Sequence, residues 1–189
     1  MTDITDDLGG AASILLKAPS MGGDRELCTE LLTGDLDRPG VLFVTYTRQV
    51  DACLEQVADA DARRVGVLTV GDGGQSVERD DVDVLSVDSA SDLTGLGIEI
   101  GRVLSEWDAP VAVCFDSLTS MLQYVDFETA YEFLHALTGQ LYAADARAHY
   151  HVDPAAHDEM QVAGIMSLFD AAVEVREDGV SVQTRDVLA

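Results

Sequence analysis

The chain has 189 residues, and a hydrophobic fraction of 47% excludes a fibrous or wholly disordered protein. We expect a single globular domain over residues 1–189, of which the acidic residues 1–10 could be disordered. The 35 acidic residues against 11 basic ones give a net charge of −24, which argues against nucleic acid as a partner because phosphate binding requires clustered lysine and arginine. The acids instead predict a solvated surface suited to a salt-rich cytoplasm, because salt near 1 M shortens the Debye length to about 3 Å and screens self-repulsion.

The chain shows neither a membrane span nor a secretion signal. Its apolar runs are far shorter than the roughly 20 residues that a membrane-spanning helix requires, and its first ten residues are acidic, unlike a signal peptide. We therefore expect a cytoplasmic protein without membrane contact. The three cysteines, Cys28, Cys53 and Cys114, form no CxxC pair and are predicted to be small buried hydrophobic residues in a reducing compartment.

Short β-branched apolar runs alternate with longer helical patterns, which is typical of βαβ units and a mostly parallel sheet. The predicted strands are residues 13–17, 41–46, 64–70, 111–115, 148–152 and 171–176, with a weaker run at 82–87 that either adds a strand or passes along the sheet. The predicted helices are residues 24–32, 49–58, 92–107, 127–144 and 154–168, with Asp92 and Asp153 as N-caps. Residues 71–83 are predicted to form a long loop, and the turn Glu177-Asp178-Gly179 returns a last strand, 180–184, in an antiparallel hairpin.

The junction of the first strand and the first helix reads ILLKAPSMGGDRELCTELL. Such a junction binds phosphate in α/β proteins, because the helix N-terminus presents free N–H groups. Aligned with GxxxxGK[ST], Gly23 takes the second glycine, Asp24 the lysine and Arg25 the Ser/Thr, while Ser20 and Gly22 lie within the loop. The junction therefore has the architecture of a phosphate loop without its chemistry.

The charge at this loop argues against ATP binding. Aspartate in place of lysine changes the local charge by two units, and each unit is worth roughly 4 kcal/mol per phosphate charge at about 4 Å and an effective dielectric constant of about 20. Arg25 could partly compensate as a phosphate binder, but it cannot ligate magnesium. We therefore predict no tight ATP binding and no hydrolysis.

A second landmark is the apolar strand that ends at Asp116 and is followed by Ser117. P-loop enzymes hold magnesium with an aspartate at the end of such a strand. The pattern is common, however, and the simpler interpretation is that Asp116 or Ser117 caps the following helix.

His149, His151 and His157, with Asp153 among them, are the one cluster of metal-ligating residue types. On a strand, His149 and His151 would share a face, and His157 would begin the next helix at the edge where open sheets bind ligands. With no cysteine near them, packing or capping is favoured over metal binding, and a contribution to a binding crevice remains open.

The order of these parts resembles the RecA/KaiC-like ATPases. Nearly the whole chain also resembles a group of haloarchaeal KaiC-like proteins sometimes labelled sensory-transducer-like, through the segments APSMGG, VLFVTYTR, DLTGLGIEIGRVLSEW, VCFDSLTSMLQYVD, FLHALTGQL, AHYHVDPAAHDE and LFDAAVEV. The resemblance implies an α/β fold of the RecA/KaiC type, a three-layer sandwich with a mostly parallel sheet and a C-terminal antiparallel hairpin. It implies no activity, since KaiC-type enzymes carry acidic catalytic residues after the second strand, where this chain reads Thr45-Tyr46-Thr47-Arg48.

The leading hypothesis is a non-catalytic pseudo-ATPase that binds a protein partner in signalling or regulation, with no cofactor and no metal. An ATPase with a rearranged site and a sensor of a small anion or nucleotide are the alternatives, and self-association is left open. Ligands of parallel sheets bind outside the strand C-termini. The predicted crevice residues are Ser20, Gly22, Gly23, Asp24, Arg25, Arg48, Asp116, Ser117, His151, Asp153 and His157.

Overall fold

The computed structural model describes residues 4–20, 24–71, 82–108 and 110–185. Eight strands of this part of the chain form one sheet in the order β4-β3-β2-β5-β6-β1-β7-β8. The strands are β1 (Ser13–Lys17), β2 (Gly40–Thr45), β3 (Arg64–Val70), β4 (Val82–Val87), β5 (Val111–Asp116), β6 (Arg147–Val152), β7 (Ala171–Arg176) and β8 (Gly179–Thr184). Neighbouring strands are parallel except β7 and β8, which are antiparallel. The predicted α/β fold with a C-terminal hairpin is confirmed.

Helices cover both faces of the sheet and produce three layers. They are α1 (Ile4–Asp7), α2 (Arg25–Thr33), α3 (Val50–Gln56), α4 (Leu93–Glu106), α5 (Leu118–Met121), α6 (Phe127–Ala143) and α7 (Glu159–Met166). The first three contribute to the apolar clusters on one face of the sheet, and the other four contribute to the larger cluster on the opposite face. Because both faces are covered, β2 is buried at every position and reads as a continuous apolar run.

Several local predictions are confirmed. Asp92 caps α4 by accepting a hydrogen bond from the N–H of Gly95. Asp153 likewise accepts from the N–H of Ala155. The weak run at 82–87 is a strand of the sheet, paired with β3.

The structure also differs from the prediction in several places. The helix predicted over 154–168 is a 3-10 turn (Pro154–Ala156) followed by α7, because Asp158 supplies a second cap by accepting from the N–H of Met160. Within the acidic N-terminus, for which disorder was left open, residues 4–7 form the short helix α1. Strand β4 begins at Val82, where the predicted loop 71–83 and the weak run 82–87 overlap, and residues 72–81 of that loop lie outside the described residues. The short helix α5 was not predicted.

Trp107, the single tryptophan, lies against the sheet at the start of β2 and β3. The indole ring fits there because two strand positions are glycine. A Cβ on Gly40 would lie 2.7 Å from Cε3 of the ring, and a Cβ on Gly66 would lie 2.9 Å from Cη2. The guanidinium of Arg64 lies over the ring, 5.1 Å from its centroid. These contacts fix one end of α4 on the sheet.

Among the described helices, none combines the length and the apolar character that crossing a bilayer requires.

Candidate functional site

The C-terminal ends of β1, β2, β5 and β6 open into a crevice of about 420 Å³. Eight of the predicted crevice residues line it: Ser20, Asp24, Arg25, Arg48, Asp116, Ser117, His151 and Asp153. His157 stands just behind, with its Nε2 3.0 Å from the Oγ1 of Thr119, a lining residue. Gly22 and Gly23 lie outside the described residues. A depression of about 520 Å³ between α3 and β3 is larger, but it contains none of the predicted crevice residues.

Asp24 is engaged by a histidine of a neighbouring strand. It directly precedes α2, which begins at Arg25 and not at Asp24 as predicted, and its carboxylate makes no capping hydrogen bond to the helix. Instead its Oδ2 lies 3.0 Å from Nδ1 of His151, and the two side chains are 19% and 12% exposed. The carboxylate that stands in place of the expected lysine is therefore bound to a residue of β6.

Asp116, at the end of β5, faces a cation. The guanidinium of Arg48 lies 3.7 Å from its Oδ2, and the two side chains are 20% and 23% exposed. The Nη2 of Arg48 also donates to the Oε1 of Gln56 at 2.7 Å and to the carbonyl of Ala52 at 3.3 Å. Arg25 donates to the same carbonyl at 3.3 Å.

One wall of the crevice is held together by Asp153. Its Oδ2 accepts from the backbone N–H of Ser20 at 3.0 Å and from the Ser20 hydroxyl at 2.8 Å. These hydrogen bonds hold the pKa of Asp153 below its ordinary value. The backbone N–H of Asp153 donates to the Oγ1 of Thr119 at 2.9 Å. The ends of β1, β5 and β6 are thereby joined.

Ser117 caps α5. Its hydroxyl accepts from the N–H of Ser120 at 3.1 Å, which is the capping interpretation offered for this position. Asp116 makes no such cap and is the salt-bridge partner of Arg48 instead.

Beneath the crevice lies a group of four side chains, here called the Cys/His cluster: Cys28, Cys114, His149 and His151. The two sulfurs are 3.6 Å apart. The Nε2 of His149 lies 3.1 Å from the Sγ of Cys28, and the Nε2 of His151 lies 3.4 Å from the Sγ of Cys114. All four potential ligand atoms lie within 4.8 Å of one another.

The cluster overturns the expectation that no cysteine lies near the histidines. The expected shared face of His149 and His151 is present, with ring centroids 5.1 Å apart. However, β5 and β6 are neighbours, and Cys114 pairs with His149 in their parallel register, so the two side chains point to the same face. Helix α2 packs on both strands and brings Cys28 down onto them.

Three groups of the cluster have shifted pKa values. Contact with the Cys114 thiol, together with the adjacent imidazoles, holds the pKa of the Cys28 thiol well below its ordinary value, whereas burial raises that of Cys114. Burial disfavours the imidazolium of His151, but the hydrogen bond with Asp24 and the contact with Cys28 outweigh it and raise the pKa of His151 to about 10. Cys53, buried outside the cluster, has its pKa raised to about 11 by burial. The prediction of buried cysteines is thus confirmed, but Cys28 and Cys114 are polar partners as well as packing residues.

A model described as "Family of unknown function (DUF7504)" matches residues 11–175. No curated protein matches the chain. The solved structures that are similar in fold include the following two. One is a protein from Pyrococcus horikoshii OT3, with a TM-score of 0.62 and 18% identity over 95% of this chain and 90% of that one. The other is the flagellar accessory protein FlaH from Methanocaldococcus jannaschii, with a TM-score of 0.58 and 14% identity over 95% of this chain and 81% of that one. At this identity the likeness shows the fold, which is RecA-like.

Proposed function

The chain belongs to the DUF7504 family, whose function is unknown, and we propose that it is a non-catalytic RecA/KaiC-like module. In this proposal it binds another protein in signalling or regulation. The observation that carries the proposal is the position of Asp24. A phosphate loop needs a lysine there, and this chain instead presents a carboxylate that is hydrogen-bonded to His151.

The charge balance of the crevice supports this proposal. Its described lining residues contribute the carboxylates of Asp24, Asp116 and Asp153 against the guanidinium groups of Arg25 and Arg48 and the imidazole of His151, whose pKa is raised to about 10. A triphosphate entering the crevice would meet a carboxylate at the lysine position, at a cost of roughly 4 kcal/mol per charge pair before solvation is counted. A mixed surface of this kind suits a protein with charges of both signs better than a polyanion.

Magnesium chemistry is disfavoured for a related reason. The aspartate at the end of β5 would have to release Arg48 before it could orient the water ligands of a metal. Arg25, at the Ser/Thr position, offers no oxygen ligand. We further propose that the phosphate loop is degenerate and that the role of the protein is regulatory. The proposal places it in the salt-rich cytoplasm of a haloarchaeon.

Calorimetry with Mg-ATP in molar KCl, together with a phosphate-release assay, tests the proposal that the protein neither binds ATP tightly nor hydrolyses it. We expect no saturable isotherm in the micromolar range and no phosphate release. A saturable isotherm that is weakened by Asp116→Ala would refute the pseudo-ATPase and favour the rearranged ATPase. Saturation without turnover, unaffected by Asp116→Ala, would favour the anion or nucleotide sensor.

Capture of partners from an extract of the source cells at molar KCl tests the proposal that the crevice binds another protein. Arg25 is the side chain to reverse, because Arg48 pairs with Asp116 and its reversal would disturb the fold. We expect Arg25→Glu to lose partners that the wild type retains. Arg102→Glu is the matched control, since Arg102 is exposed on α4 in the opposite helical layer and pairs with Glu99 of the same helix. If Arg25→Glu and Arg102→Glu retain the same partners as the wild type, the crevice is not the binding surface.

A further inference from the structure

We propose that the Cys/His cluster is a tetrahedral zinc site buried beneath the crevice. Its ligands come from three elements: Cys28 from α2, Cys114 from β5, and His149 and His151 from β6. The proposal goes beyond the pseudo-ATPase function and does not depend on it.

Three of the six distances between the ligand atoms are close to the edges of a zinc tetrahedron, and all six are at most 4.8 Å. With zinc–sulfur bonds of about 2.3 Å and zinc–nitrogen bonds of about 2.0 Å, the sulfur–sulfur edge is about 3.8 Å and a sulfur–nitrogen edge about 3.5 Å. The two sulfurs of Cys28 and Cys114 are 3.6 Å apart, and the two measured sulfur–nitrogen contacts are 3.1 and 3.4 Å. Small side-chain adjustments would therefore accommodate the ion.

The orientation of His151 is that of a metal ligand. Its Nε2 points at Cys114, while its Nδ1 is bound to the carboxylate of Asp24. Histidine ligands of zinc commonly donate their second ring N–H to a carboxylate, which fixes the tautomer and makes the ligating nitrogen more basic. The proposal thus gives a role to an aspartate that neither caps α2 nor suits a phosphate.

The donor set selects zinc among common metals. Two thiolates and two imidazoles are soft or intermediate ligands, which magnesium and calcium do not favour. Two thiolates also neutralise the charge of Zn²⁺, so a buried neutral site results when both imidazoles are uncharged.

Burial identifies the type of site. Cys28, Cys114 and His149 are at most 1% exposed, and His151 has a side chain that is 12% exposed. Four protein ligands without an open coordination position are characteristic of structural zinc, which stabilises a fold and does not activate water. Cys28 and His151 also line the crevice, which gives the ion a route to the site. Zinc would fasten α2 to β5 and β6.

The test uses wild-type protein that has been reduced, stripped of metal with a chelator and kept free of oxygen in molar KCl. We expect Co²⁺ alone to saturate at one ion per chain with the visible absorption of tetrahedral, thiolate-ligated cobalt, and one equivalent of Zn²⁺ to abolish it. X-ray absorption of the zinc-loaded wild type should then show two sulfur and two nitrogen ligands, at about 2.3 and 2.0 Å respectively. Failure to saturate, or an octahedral oxygen-ligated spectrum, overturns the proposal without any variant.

Variants assign the ligands. Cys28→Ala and Cys114→Ala are expected to weaken zinc binding at least 100-fold, as measured by competition with a chromophoric chelator. Cys53→Ala is the matched control: Cys53 is fully buried in the same helical layer but lies outside the cluster, so its loss should leave affinity and spectrum unchanged. Asp24→Asn should weaken binding about 10- to 100-fold while preserving the cobalt spectrum. Equal affinity in the wild type and in folded Cys28→Ala would refute the assignment, and the wild-type spectra decide the matter if that variant does not fold.

Discussion

Replacing Arg48 by methionine should destabilise the protein measurably, because the Arg48 guanidinium pairs with the partly buried carboxylate of Asp116. The guanidinium lies 3.7 Å from the Asp116 carboxylate and also donates to Gln56 and to the carbonyl of Ala52. Methionine keeps an unbranched, flexible stem and removes all of these polar contacts. It leaves the Asp116 carboxylate, 23% exposed, without its cation.

The expected loss follows from the geometry. At 3.7 Å and an effective dielectric constant of about 20, the gross attraction is about 4 kcal/mol. Desolvation and the remaining exposure of both groups reduce the net pair interaction to about 1 kcal/mol. The 2.7 Å hydrogen bond to Gln56 contributes about another 1 kcal/mol. We therefore expect Arg48→Met to lower the free energy of unfolding by about 2 kcal/mol.

Urea unfolding followed by far-UV circular dichroism in molar KCl measures this loss. A double-mutant cycle with Asp116→Asn should give a coupling energy of about 1 kcal/mol. Arg63→Met is the control, because Arg63 is exposed just before β3 and its loss should change stability by less than about 0.5 kcal/mol. If Arg48→Met is as stable as Arg63→Met, or the coupling is near zero, Asp116 is not held by Arg48, and it remains free to serve a metal or a nucleotide.

Three further predictions concern other parts of the molecule. Hydrogen bonds from Arg176 and Lys17 hold the pKa of Glu174 below its ordinary value. Glu174 therefore adds stability above an unfolded-state pKa of about 4.3 that is lost as the pH falls through the folded value. Glu174→Gln should be less stable at pH 7 and should show a shallower decline in acid, as measured by urea unfolding across pH, and an unchanged profile would contradict this assignment. Gly40→Ala would place a methyl group 2.7 Å from the ring of Trp107 and should cost about 1–3 kcal/mol, with altered tryptophan emission. The cost should disappear in a Trp107→Leu background, and its persistence there would show that the ring is not the obstacle. Because the chain carries a net charge of −24, its unfolding temperature should fall steeply as KCl is reduced from about 1 M to about 0.05 M, and equal stability at both would show that the acids are not an adaptation to salt.

The sheet and the place of the crevice were predictable because they rest on repeated local signals. The central strands β1, β2 and β5 contain apolar runs that are covered on both faces. The rule that ligands bind at the C-terminal edge of parallel strands predicted that Asp24, Arg48 and Asp116 would lie close together. The short helix α1 gave no such signal. It is held by tertiary contacts, including burial of Leu8 and a hydrogen bond from the N–H of Ile4 to Glu30.

The Cys/His cluster was missed because its contacts cross between elements. Cys114 and His149 are far apart in the sequence, and only the register of β5 against β6 places them side by side. The sequence did contain a usable signal: both residues lie in predicted strands, and His149 alternates with His151 on one face. Finding Cys28 beside them also requires the angle at which α2 crosses the sheet, which local patterns do not specify.

The hydrogen bonds of Asp153 affect the thermodynamics of any ligand that enters the crevice. Through Ser20 and Thr119, this one residue connects the segments that follow β1, β5 and β6. Ordering a loop on association consumes conformational entropy, which has to be subtracted from the free energy gained by contact. In the described part of this wall the ordering has already taken place during folding. A partner therefore meets a preorganised surface, and a larger share of its contact energy is retained as affinity.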